Sequence, residues 1–217
     1  MLLLCHNELK AELGTTPNIK QIVVGRCYNY ITLFLFWSKT RTLVHSYTAA
    51  VRHFWTLEDT LVGYIFNDLI WCDFDFSSCP EWSACVNHPV YSLWRQASQN
   101  FAETACGNIT VLLNGSIDHA FNRKSMFGSV ELDSLNPRMV NHVNIKVVAN
   151  LEGPFIESCT QGSIVDLIEI LQSRGFRWTC TDNDLTLMIL QCVQNPKQSS
   201  CQTCTNSLLH TKRLPLN

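Results

Sequence analysis

The sequence predicts an α/β fold: a helical N-terminal part, then a part built on a small parallel sheet flanked by helices. Two observations predict it. Apolar residues recur at helical spacing through much of residues 40–104. Beyond residue 108, short Val/Ile/Leu-rich runs bracket one strongly periodic helix, and strand–helix–strand at that spacing reads as a right-handed crossover between parallel strands.

Taken in order, residues 1–27 carry little pattern, and Leu33 to Trp37 reads as a short buried strand. Thr40 to Phe54 places Leu43, Val44, Tyr47, Ala50, Val51 and Phe54 on one helical face. In TLEDTLVGYIFNDLIWC (56–72), Leu57, Leu61, Ile65 and Leu69 make the stripe of a second helix. Thr56 is its expected cap, with Asp59 as the acid of a capping box. Glu58 then stands at the margin of that stripe, a carboxylate on a surface ready to be covered. A Cys/Pro/Ser-rich loop (72–85) leads to Pro89 and a helix that aligns Trp94, Ser98 and Phe101. Asn108 to Leu113 and Val143 to Val148 read as buried strands. Ser163 is expected to cap the helix SIVDLIEILQSR, which stops at Gly175. Phe176 to Cys180 reads as a strand and Leu185 to Cys192 as another.

With 217 residues, 46% hydrophobic and 16% charged, the chain has the makings of a real core. A net charge of −2, with no basic run longer than Lys212-Arg213, argues against a nucleic-acid partner. The longest apolar run, Ile31 to Trp37, is too short to span a bilayer, and no signal peptide or lipid-anchor tail is expected. Eleven cysteines suit an oxidised, extracellular chain, as do the sequons at Asn108 and Asn114. Cys201 and Cys204, with Cys192 before and His210 after, hold the residue types of a zinc site, but disulfide use of these cysteines outweighs that reading.

Several blocks point further: TLEDTLVGY (56–64), LIWC (69–72), SCPEW (78–82), LLNGS (112–116), FGSVE (127–131) and LQCVQNP (190–196). With them the chain resembles the ADP-ribosyl cyclase / cyclic ADP-ribose hydrolase family. The resemblance implies a cleft between a helical part (1–36 and 55–105) and an α/β part (37–54 and 106–217) with about four parallel strands. It also implies roles. Glu131 matches the catalytic glutamate, and Trp37 and Trp94 the tryptophans of the nicotinamide pocket. Glu58 matches the acid that reads the carboxamide. Ser38, Ser98 and the backbone of Phe127 fall where phosphates are held. Asn67 and Met126 occupy substrate-contacting positions that vary among members.

The implied substrates are NAD+ and cyclic ADP-ribose, with no cofactor and no metal. The resemblance allows a homodimer and an extracellular or cell-surface location. It pairs Cys72 with Cys79, Cys159 with Cys180, and Cys192 with Cys201. Only nine residues separate Cys27 from Trp37, where members carry a longer helical stretch. Cys27, Cys85 and Cys106 are therefore expected to lack partners. That leaves two expectations: a working NAD+ glycohydrolase and cyclase, or an impaired relative acting as a binding or cell-surface interaction protein.

The chemistry asks for such residues. Nicotinamide leaves a cationic pyridinium as a neutral molecule, so no acid need protonate it, and one carboxylate can serve where most glycosidases use two. Gly128 beside Phe127 is expected to let backbone N–H groups approach the pyrophosphate.

Overall fold

Strand β1 (Leu33–Ser38) begins ahead of the boundary drawn at residue 37, so Leu33–Phe36 belong with the sheet. The computed structural model describes residues 33–51, 53–66 and 88–201. After β1 come α1 (Arg41–Ala50), β2 (Phe54–Trp55), α2 (Leu61–Phe66), α3 (Pro89–Glu103) and β3 (Gly107–Asn114). A π-turn (Phe127–Glu131) runs straight into the single turn α4 (Leu132–Ser134). The chain then forms β4 (Val140–Val148), α5 (Ser163–Ser173), β5 (Trp178–Asp182) and α6 (Leu185–Gln194). All five strands are parallel, in the order β2-β1-β3-β4-β5; the strand beyond the expected four is the two-residue β2 at one edge.

Alternation along the strands sorts their side chains onto two layers. On one face Phe34, Phe36, Ile109, Val111, Val143 and Ile145 meet Phe101 of α3, Phe127 of the π-turn and Leu167 of α5. On the other, Leu35, Leu112 and Val148 pack against Val44 and Tyr47 of α1 and Leu187 of α6. Each of these side chains contributes about 1.5–3 kcal/mol when fully buried.

Three local expectations are corrected. The helix read as starting at Thr56 starts at Leu61. Asp59 does accept from the Thr56 amide (2.8 Å) and hydroxyl (2.9 Å), but the pair closes a turn ahead of the helix. The helix is capped by Thr60, whose Oγ1 accepts from the Gly63 amide at 3.2 Å. Ser163 does not cap α5. Its hydroxyl accepts from the Phe121 amide at 2.9 Å and donates to buried Glu157. Leu185–Gln194 is a helix and not a strand. Asp184 fixes its first turn by accepting from the amides of Thr186 (3.0 Å) and Leu187 (3.3 Å) while bonding Lys146 of β4 at 2.6 Å.

The stop at Gly175 is where the sequence placed it. Gly175 adopts φ of +77°, and the amides of Gly175 and Phe176 return to the carbonyls of Gln172 (3.0 Å) and Leu171 (2.9 Å). Those two bonds make a Schellman motif.

Cys159 is bridged to Cys180 (S–S 2.07 Å), and Cys192 to Cys201 (2.17 Å). Cys106 is also disulfide-bonded, which corrects its expected lack of a partner. Cys72, Cys79, Cys27, Cys85, Cys204 and His210 lie outside the described residues. No described helix is long and apolar enough to cross a membrane.

Candidate functional site

The FGSVE block forms neither a strand nor a regular helix. In the π-turn the Leu132 amide returns to the Phe127 carbonyl, one residue wider than an α-helical turn. Such widened turns are rare and concentrate at functional sites. The turn seats Phe127 in the core, against Phe36 (ring centroids 6.2 Å apart) and Phe121 (6.1 Å). It leaves Glu131 at its end, 8% exposed.

Burial pushes the Glu131 carboxyl up to about 8, against a hydrogen bond from the Ser98 side chain, while the nearby Glu58 carboxylate pushes it further up. Ser98 is itself buried, on α3. The Glu58 carboxylate in turn accepts from the Trp37 indole N–H at 3.2 Å. Glu58 thus sits in the turn ahead of α2, turned toward the C-terminal end of β1 and not into the apolar stripe. Four of the expected site residues interact in series: Trp37 bonds Glu58, the Glu58 charge acts on Glu131, and Ser98 bonds Glu131.

The others fall around it. Trp94 lies one helical turn before Ser98 on α3, on the same face, and meets Phe66 of α2 edge-on at 5.7 Å. Ser38 ends β1, buried, on the sheet face that carries Phe34 and Phe36. Met126 immediately precedes the π-turn and is half-buried. Asn67 lies outside the described residues. Asn108 is exposed on β3, whereas Asn114 at the strand's end accepts from the Ser116 amide at 2.9 Å.

Gly128 needs a different explanation from the one its sequence suggested. Its amide donates to Ser125 Oγ at 3.0 Å, so it is committed within the turn and not offered to a phosphate. A Cβ there would come within 2.2 Å of the Asn122 carbonyl oxygen. Glycine is required because the preceding loop packs directly against the π-turn.

Sequence reasoning missed the surroundings of that turn. Arg123 donates to the Gly128 carbonyl and forks onto the Asp133 carboxylate, with both bonds at 3.0 Å. Arg174 donates to the carbonyls of Leu132, Asp133 (3.3 Å) and Leu135 (2.8 Å). Neither arginine belongs to a recognisable motif; only their basic character hinted at a task. Lys39, directly after Ser38, holds φ of +57°, an uncommon conformation for a residue with a side chain.

A family model described as ADP-ribosyl cyclase matches residues 32–201. The mouse "ADP-ribosyl cyclase/cyclic ADP-ribose hydrolase 1" is 43% identical over 178 residues, which cover 79% of this chain and 59% of that protein. The chain therefore spans about three-fifths of the length of the curated relatives it matches. A crystal structure of Aplysia cyclase with "substrate NGD and product cGDPR" superposes with a TM-score of 0.67 at 32% identity, covering 78% of this chain and 70% of that one. Porcine CD38, complexed with "a covalent intermediate, ribo-F-ribose-5'-phosphate", superposes with a TM-score of 0.61 at 39% identity, covering 69% of this chain and 68% of that one. With the match running through every described strand and the π-turn, the chain belongs to the ADP-ribosyl cyclase family.

Proposed function

We propose that this chain cleaves the nicotinamide–ribose bond of NAD+, releasing nicotinamide with ADP-ribose or cyclic ADP-ribose, and that it hydrolyses cyclic ADP-ribose. The observation that carries the reading is the buried Glu131 carboxyl, bonded by Ser98 and faced by the Trp37–Glu58 pair.

Burial lets Glu131 hold its proton to about pH 8. The substrate brings a permanent pyridinium charge, which favours the carboxylate, so binding and ionisation are coupled. Trp37 and Trp94 offer π faces to the cationic ring, each contact worth on the order of 0.5–2 kcal/mol. Glu58, fixed by the indole N–H, accepts from the carboxamide N–H.

As the bond from C1′ to the pyridine nitrogen breaks, its electron pair leaves with neutral nicotinamide. The ribosyl cation is stabilised or captured by the Glu131 carboxylate. Water then attacks C1′ and gives ADP-ribose, its proton passing to solvent. Attack by the substrate's own adenine instead closes cyclic ADP-ribose. NAD+ is consumed as a substrate and not held as a cofactor. The disulfides suit an extracellular setting.

The impaired, binding-only alternative rested on cysteines without partners, and the disulfide at Cys106 removes one of them. Incubation with NAD+ and with cyclic ADP-ribose, followed by chromatographic separation of nicotinamide, ADP-ribose and cyclic ADP-ribose, tests the proposal. Absence of nicotinamide release from oxidised, folded protein overturns it.

A further inference from the structure

The π-turn that carries Glu131 is a poor structure to leave to itself. Such widened turns are rare and occur mostly as single turns, and among the described residues this is the one present. Yet a carboxylate that meets an anomeric carbon has little positional tolerance.

Arg123 bridges this turn from outside. One guanidinium nitrogen donates to the carbonyl of Gly128, within the turn, and also to Asp133 Oδ1 at 3.0 Å. The other donates to Asp133 Oδ2 at 3.0 Å, two residues beyond Glu131. The pairing is bidentate, the arrangement that adds geometric definition to charge. Asp133 is a fixed post, because Arg174 holds its main-chain carbonyl at 3.3 Å together with those of Leu132 and Leu135. Arg174 is steadied in turn over the Phe176 ring, 5.2 Å from its centroid.

We propose that the Arg123–Asp133 ion pair is a clasp across the π-turn, and that it positions Glu131 for the reaction. The inference rests on the catalytic assignment of Glu131 made above. Neither Arg123 nor Asp133 touches the substrate; both act through the backbone that carries the glutamate. Each side chain is 49% exposed, so the pair is a weak contributor to global stability. That separates the clasp from an ordinary structural contact: losing it should cost rate far more than it costs folding.

The test is Arg123→Gln and Asp133→Asn in the full chain, compared with the parent by thermal unfolding, amide hydrogen exchange and steady-state NAD+ cleavage. The clasp predicts faster exchange at residues 127–133 alone, an unchanged Tm, kcat about tenfold lower and KM little changed. It also predicts that the double variant is no slower than either single one. Parent-like exchange in the turn overturns the proposal, and so does faster exchange with parent-like kcat. A general fall in Tm, or failure of both variants to fold, overturns it too, since the pair would then be a folding contact. If the parent releases no nicotinamide, the catalytic reading of the site fails, while exchange at residues 127–133 still decides whether the clasp exists.

Discussion

Trp37 donates its indole N–H to a Glu58 carboxylate oxygen at 3.2 Å, joining residues 21 positions apart at the C-terminal end of β1. This bond gives the tryptophan a polar task beside its aromatic one. Trp37→Phe keeps a ring face and removes the donor. KM for NAD+ should rise about tenfold, the effect of one hydrogen bond to a half-buried charged group, with a smaller change in kcat. A steady-state comparison at fixed pH checks this; an unaltered KM would mean that Glu58 needs no such support.

Replacing Glu131 with Gln preserves shape and removes the charge. Nicotinamide release should fall by about a thousandfold or more while NAD+ binding persists, as expected for a group whose work is done on developing charge. Calorimetric titration with NAD+, alongside single-turnover release of nicotinamide, separates the two. Equal turnover in the variant would refute the mechanism.

The pH dependence follows from the same carboxyl, held up to about 8 by burial, against the Ser98 hydrogen bond, and by its neighbour Glu58. The native state binds the extra proton between an ordinary carboxyl value of 4.5 and about 8. Its stabilising effect is therefore full below about 4.5 and lost as pH rises through about 8. For turnover the sense reverses, because the carboxylate is the working form. kcat/KM, which reports the free protein, should climb through an apparent pKa near 8. kcat should titrate at lower pH, because the bound pyridinium favours ionisation. A flat kcat/KM profile between pH 6 and 9 would remove Glu131 from that role (the range is chosen to bracket a value of about 8).

Gly128→Ala should fail for steric reasons. Its Cβ would sit within 2.2 Å of the Asn122 carbonyl oxygen and 2.8 Å of the Arg123 Cα, both backbone atoms that cannot swing aside. A loss of about 1–3 kcal/mol in stability is expected, with a larger proportional loss of activity because the turn carries Glu131. Denaturant unfolding together with NAD+ turnover measures both.

Alkylation of unreduced protein, read by peptide mass mapping, should leave Cys106, Cys159, Cys180, Cys192 and Cys201 unlabelled. Rapid labelling of Cys106 would restore the expectation that it lacks a partner.

Much of the sheet was legible because buried parallel strands announce themselves as dense Val/Ile/Leu runs, as in Ile109–Leu113 and Val143–Val148. The same density misled at Leu185–Cys192, where an apolar run has no periodicity of its own and Asp184 decides for helix. Asp59 reaches back to the Thr56 amide as in a capping box, but the Thr56 hydroxyl donates to that same carboxylate and the Asp59 amide donates to the Thr56 carbonyl, so the pair closes a turn. Trp37, Glu58, Ser98 and Glu131 were found by resemblance, and nothing in their spacing brought them together. The π-turn left no trace in the sequence, since FGSVE carries no residue that favours a widened turn over an ordinary one. Ser163 looked like a cap, yet a buried acid distant in sequence, Glu157, took its hydroxyl.

The strand order places β1 beside β3, although between Ser38 and Gly107 the chain makes α1, the edge strand β2, α2 and α3. Phe34 to Ser38 nonetheless stays in step with Ile109 to Leu113, rung for rung. Closing a detour costs only logarithmically more as it lengthens, so its size barely weighs on the ladder it interrupts. Segments within this detour can be gained or trimmed like bays added to a finished building. The stretch that carries α2 and α3 can thus change in extent while the strand that bears Trp37 keeps its place in the ladder.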